Sequence, residues 1–227
     1  MVGLAAVAVA TAVAFVFHDH ILEWLAQPLP PEHRHLAAFG VAEPFSVSIA
    51  VSLYAGILFA LPVIFWQLWS FLVPALDPAA ERRILGFALF GLVLGAVGLA
   101  FGYGILLPRA VHFLTAYDTT HFRLLLRASS YYSFVVTVLL GVVCVFETPL
   151  VVLSLVNLGV LSSAGLRRNR RKGYFIVSAV ALALPGPDPV TTMLELLPML
   201  ALFEGSIWLA AWAERRAARL SLAGAQT

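Results

Sequence analysis

Apolar residues come in long blocks along this chain, and the polar residues that separate them are few and clustered. Blocks of about 20 apolar residues without helical or alternating polarity read as membrane-crossing helices, since each span needs ~30 Å of hydrocarbon-compatible length. Six such runs are expected, over residues 2–17, 45–69, 84–107, 131–158, 173–184 and 190–213, within a single integral-membrane domain covering 1–227. The first could be read as a signal peptide, but it has no basic n-region and no soluble domain follows it. Between the first two runs lies a polar stretch punctuated by Pro28, Pro30, Pro31 and Pro44. Pro108–Ser130 reads as a loop, and Pro185–Pro189 (PGPDP) as a tight turn. The fifth run stands apart. Its 12 residues, 173–184, reach only about 18 Å as a helix. Either the bilayer thins there, or the fifth and sixth runs form a hairpin that does not fully cross.

Composition sharpens this picture. The 227 residues are 61% hydrophobic and only 11% charged, with a mean hydropathy of +0.94. A soluble surface or a disordered chain needs far more charge. The fold class is therefore all-α and membrane-embedded. The net charge of +2 gives no reason to expect nucleic acid, and the single Cys144 excludes an internal disulfide. Ten basic residues fall on one side of the expected topology: Arg82, Arg83, the Arg167–Lys172 cluster RRNRRK, and Arg215, Arg216 and Arg219. Only Arg34, Arg109, Arg123 and Arg127 fall on the other. The positive-inside bias then places both termini in the cytoplasm.

Residues that cost energy in lipid are candidates for function. Glu147 interrupts the fourth run, where an acidic side chain costs on the order of 2.5–3.5 kcal/mol on the insertion scale. It reads as a contact for a polar group on a partner helix or a titrating group, against the plainer reading of a protonated interhelical hydrogen bond. Pro149 beside it implies a local kink. Glu195 and Glu204 are nine residues apart, on opposite faces of one helix, and are expected to be packing or interface residues rather than an acid/base pair. Asp188 reads as a helix N-cap. The paired histidines 18/20 and 33/35 are expected to be loop residues, and no metal is expected. RRNRRK reads first as a topology anchor and then as a contact for anionic lipid or a partner. Catalytic motifs such as HExxH, GxSxG or a Walker A loop do not occur, so the chain is not expected to be an enzyme and no cofactor is expected. No repeat relates the two halves, which weakens an inverted-repeat transporter reading.

Several segments together resemble the TatC family, the polytopic subunit of the twin-arginine protein translocase. They are Phe71-Leu-Val-Pro74-Ala-Leu76 followed by Glu81-Arg82-Arg83, then Ser130-Tyr-Tyr-Ser133-Phe134, Phe146-Glu147-Thr-Pro149, Leu166 through Tyr174, Pro187-Asp188-Pro189, and Pro198 with Phe203-Glu204. Their order covers about residues 21–216. The resemblance implies a curved six-helix scaffold with short fifth and sixth helices. It implies a receptor that binds twin-arginine signal peptides and recruits TatA- and TatB-type single-span subunits. Together they would export folded proteins across the plasma membrane on the proton-motive force. By the same resemblance, Glu81 would pair with the signal's arginines, with Phe71 and Pro74 shaping the pocket and Asp77 able to share the role. Guanidinium–carboxylate contacts are bidentate, which disfavours Lys in the signal. Glu147 would face the concave side, Thr192 and Glu204 would be polar positions for partner contact, and Pro28 would support the outer cap. A homo-oligomer within the complex is expected. The family's N-terminal His-Leu-x-Glu-Leu-Arg tail is absent from the sequence, as expected of a late-assigned start or a truncated chain. The competing reading is a proton-coupled small-solute transporter using Glu147.

Overall fold

The apolar blocks become helices in the computed structural model, which describes residues 2–34, 36–72, 81–116, 125–183 and 189–224. In order they are α1 (Val2–Val16), α2 (His18–Ala26), a 3-10 turn (Pro31–His33), α3 (Glu43–Leu72) and α4 (Glu81–Phe101). A π-helical turn (Gly102–Leu106) leads into α5 (Leu107–Ala116), followed by α6 (Ala128–Phe146), α7 (Thr148–Asn157), α8 (Ser163–Arg168), α9 (Arg170–Ala183) and α10 (Pro189–Gly224). Among the described residues the only β pairing is an isolated bridge between Ala37 and Arg127. Among the described residues four stretches are long and apolar enough to cross a bilayer: Glu43–Ile64, Gly86–Ala116, Ala128–Asn157 and Thr191–Arg215. A fifth is added if α1 and α2, bent by 77° at their junction, form one broken span.

Several boundaries differ from the sequence expectation, each for a physical reason. His18 and His20 open helix α2 rather than lying on a loop. The helix after Gly86 does not stop at Pro108. Pro108 has no N–H to give to the preceding turn, and the π-helical widening at Gly102–Leu106 accommodates that loss. The chain then continues as α5, whose Leu107, Ala110, Val111 and Thr115 recur at helical spacing and are buried. The fourth run breaks at Glu147 into α6 and α7, with Pro149 in the first turn of α7. The last helix runs on to Gly224.

Helix packing depends on close backbone approach, as expected where lipid removes the hydrophobic drive for association. α1 lies along α3, and α4 and α6 pack against α3 and each other. A Cβ at Gly56 would sit 2.7 Å from the backbone of Thr11, and one at Gly98 2.9 Å from Phe146. Neither contact tolerates a side chain without movement. The main buried cluster joins Leu25 and Leu29 after the α1–α2 bend to Val47 and Val51 of α3, Leu107 and Val111 of α5, and Tyr131 to Leu139 of α6. α10 packs on α7 and α9 along the other flank.

Candidate functional site

Glu147 occupies the break between α6 and α7. Its own N–H bonds the Val143 carbonyl at 3.2 Å, and its carbonyl accepts from Val151 at 3.0 Å, so the backbone is satisfied while the side chain is left to the interior. That side chain is 3% exposed. Its Oε2 is buried and has no hydrogen-bond partner among the described residues. Its Oε1 faces α4 at Gly95, where a Cβ would stand 3.2 Å away. A cavity of about 340 Å³ opens beside it, lined by α2, α3, α4 and α6, and among the described residues Glu147 is the one ionisable group in a lining that is otherwise apolar apart from the indole of Trp24. An uncompensated carboxyl in such a place is expensive, and a hydrogen-bonding group brought by an occupant would relieve that cost.

The far end of this cavity is built around α2. Three tyrosine hydroxyls donate to carbonyls of that helix: Tyr131 to Leu25 at 2.7 Å, Tyr103 to Trp24 at 2.8 Å, and Tyr132 to Leu22 at 3.2 Å. Both carbonyls lie in the last turn: that of Trp24 also accepts from the Gln27 N–H at 3.2 Å, while that of Leu25 has no intrahelical donor. The Trp24 and Tyr103 rings also stack, 3.8 Å apart and 11° from parallel. Tyr103 belongs to the π-helical turn.

A polar clasp joins the starts of α3 and α6. Glu43, at the head of α3, accepts from Arg127 Nε at 2.8 Å and from the Ser129 N–H at 3.2 Å through one oxygen, and from the Phe39 N–H at 2.8 Å through the other. Backbone bonds Ala37 N–H to Leu126 O and Ala128 N–H to Ala37 O, both 2.9 Å, run alongside. The Glu43 carboxylate beside Arg127 pushes the guanidinium further above its ordinary range. Sequence reasoning gave Glu43 no role. Its only signal was an acid directly before an apolar run, which a helix start explains equally well.

At the opposite end, α10 holds the basic loop with two carboxylates. Glu204 forms an ion pair with Arg170 at 3.1 Å and accepts from the Tyr174 hydroxyl. Glu214 accepts from the Ser163 N–H at 2.8 Å and from its hydroxyl. Arg170 is thereby turned inward, while Arg167, Arg168, Arg171 and Lys172 stay exposed.

The expected site residues are therefore dispersed. Glu147 lies in the cavity wall and Glu204 in the α9–α10 clamp. Thr192 is half-buried near the start of α10, and Pro28 is half-buried in the turn after α2. In that turn Arg34 donates to the Leu29 and Gln27 carbonyls at 3.2 and 3.3 Å. Phe71 is the penultimate residue of α3 and Glu81 opens α4, with only their backbones described. Pro74, Asp77 and Asp188 lie outside the described residues. Glu195, on the buried face of α10, is 5% exposed.

Comparison with known proteins places this architecture. The profile of the family described as Sec-independent protein translocase protein (TatC) matches residues 1–198. The chain is 34% identical over 227 residues to the TatCd protein of Bacillus subtilis, covering 99% of this chain and 92% of that one. It is 32% identical to the TatC of Aquifex aeolicus, covering 95% and 91%. A crystal structure of the twin-arginine translocase receptor TatC superposes with a TM-score of 0.79 at 30% identity, over 94% of this chain and 95% of that one. A multi-pass helical membrane chain with this sequence and this fold belongs to the TatC family and is a component of a Sec-independent protein translocase.

Proposed function

We propose that this chain is the receptor and scaffold of a twin-arginine translocase. It binds the signal peptide of a folded precursor and recruits TatA- and TatB-type single-span subunits, and the proton-motive force drives export. The observation that carries this reading is the buried, unpartnered carboxyl oxygen of Glu147 in the wall of an apolar groove between α2, α3, α4 and α6. Such a groove suits an apolar helix that brings one polar group with it. The crystallised relative is described as a twin-arginine translocase receptor, which supports the same role.

In this reading the chain makes six spans: α1–α2, α3, α4–α5, α6–α7, α9 and α10. Both termini and the exposed arginines of the α8–α9 segment lie in the cytoplasm of a cell whose plasma membrane holds the protein. The 14-residue α9 reaches about 21 Å, short of a ~30 Å core, so the bilayer thins beside it. Glu81 receives the paired arginines of the signal on the segment between α3 and α4, and Phe71, Pro74 and Asp77 contribute to that recognition. Thr192 and Glu204 offer polar positions to partner subunits, and Pro28 supports the outer cap. Several copies assemble in the working complex.

The test is photocrosslinking in membranes from position 77 or 81 to precursors carrying Arg-Arg or Lys-Lys. A crosslink confined to Arg-Arg is expected. Equal crosslinking of both, or none with the protein inserted and folded, would refute the receptor reading. Proton-coupled solute flux abolished by Glu147→Gln in liposomes holding this chain alone would then favour a transporter.

A further inference from the structure

The groove beside Glu147 has two ends of different character, one acidic and one aromatic. At one end stand Glu147, Gly95 and Pro62; at the other stand Trp24, Leu99 and Val136. Lining residues on α6 run from Val136 to Glu147, and those on α3 from Val51 to Pro62. Both helices give about 16 Å at 1.5 Å per residue and α4, lined from Gly91 to Leu99, about 12 Å, so the groove takes up to roughly 11 residues of an occupying helix. A cavity of about 340 Å³ takes the side chains on one face of such a helix, not a whole helical cylinder ~10 Å across.

What sets the length is α2. The 77° bend after α1 turns this helix away from the axis of α1, and its residues Ile21, Trp24 and Leu25 line the groove. The helix is fixed there by hydrogen bonds from Tyr131 to Leu25 O and from Tyr103 to Trp24 O, and by the stacked Trp24 and Tyr103 rings. Leu99, one turn before Tyr103, lines the groove directly. Trp24 is thus part of the wall, and Tyr103 stacks on it from behind and bonds its carbonyl.

We infer that Trp24, held by Tyr103 and Tyr131, is a fixed stop that limits the apolar helix the groove accepts to about 11 residues. The occupant is the apolar segment of the signal peptide, so the inference rests on the receptor reading. The measured length falls inside the range of about 7–15 residues that such segments span. Glu147 sits at the end towards which α3 runs and from which α4 starts, the side of Glu81, where the segment enters with its polar flank. A longer segment has to pass or displace the indole. The stop therefore makes Trp24 a specificity-determining residue and Tyr103 and Tyr131 its positioning residues.

The experiment uses the full chain in its native membranes. Precursors share one folded cargo and an Arg-Arg pair, and carry Leu/Ala segments of about 8, 11, 14 and 17 residues. A photoreactive residue at position 99 reports when the far end of the segment reaches the stop, and one at position 81 reports Arg-Arg binding separately. With the native stop, crosslinking at 99 is expected to peak near 11 residues. Trp24→Ala should move the peak longer, by about four residues for an indole ~6 Å long at 1.5 Å per residue, and Trp24→Leu by about half as much. Tyr103→Phe keeps the ring stack and loses the hydroxyl, and should broaden the peak. A flat length profile, or a peak unmoved in both folded Trp24 variants, overturns the stop while Arg-Arg crosslinking at 81 leaves the receptor reading intact. Loss of Arg-Arg dependence at 81 in the unsubstituted chain overturns both.

Discussion

Removing a single oxygen atom tests how α2 is held. In Tyr131→Phe the ring, its volume and its place in the buried cluster are kept, and only the hydroxyl that donates to the Leu25 carbonyl at 2.7 Å is lost. Leu25 is 3% exposed and its carbonyl lies in the last turn of α2, beyond the reach of intrahelical donors. The carbonyl is left buried and unpaired, at a cost of about 1–3 kcal/mol. Tyr132→Phe is the internal comparison. Its hydroxyl reaches Leu22 at 3.2 Å, one turn further back, where the carbonyl already accepts an i+4 amide, so a cost of about 0.5–1 kcal/mol is expected. Hydrogen exchange at the amides of Gln27 and Leu29, which bond Trp24 O and Ala26 O at 3.2 and 3.1 Å, reads the opening of this end. At 1.4 kcal/mol per tenfold, Tyr131→Phe should speed their exchange by about 5- to 150-fold and Tyr132→Phe by less than about 5-fold. Amides in the middle of α6 should not change. Equal effects of the two variants, or acceleration spread evenly over α6, would show that the hydroxyl does not hold α2 and would refute the reasoning.

Glu147→Leu should raise resistance to unfolding in mixed detergent by up to about 2.5–3.5 kcal/mol while abolishing export, because it removes a buried carboxyl that the fold leaves unpartnered. A loss of stability instead would mark Glu147 as structural. Gly56→Val should destabilise by about 1–3 kcal/mol in the same assay, since the new side chain meets the Thr11 backbone at 2.7 Å and forces α1 off α3. Glu43→Gln keeps the shape of the clasp but weakens its charge-assisted bonds, so exchange at the Ala37 and Ala128 amides should quicken, with high salt reproducing part of the effect in the unsubstituted chain. Glu204→Gln should cost no more than about 1 kcal/mol, as expected of a partly exposed pair, and should free Arg170 to react with a guanidine-directed probe.

Much of this protein is legible in local pattern. Apolar runs of about 20 residues and a basic bias between them specify membrane helices because each span must satisfy its own backbone and bury its own length. The short fifth helix is readable from the same arithmetic: 12 apolar residues in the sequence become the 14-residue α9. Glu147 stands out because a lone carboxyl in such a run always has an energetic cost. The contacts that shape the site carry no such periodic signature. Tyr131 meets Leu25 across 106 positions, Arg127 meets Glu43 across 84, and Tyr103 meets Trp24 across 79. Helix α5 survives Pro108 only because a π turn absorbs the missing hydrogen bond and tertiary packing buries Leu107, Ala110 and Val111. Sequence alone determined that these segments are membrane helices and that one of them carries an expensive acid. Tertiary structure alone decided that four helices leave a groove beside that acid and that an aromatic pair closes its far end, because cavities and caps arise between elements whose separation along the chain leaves no trace in local order.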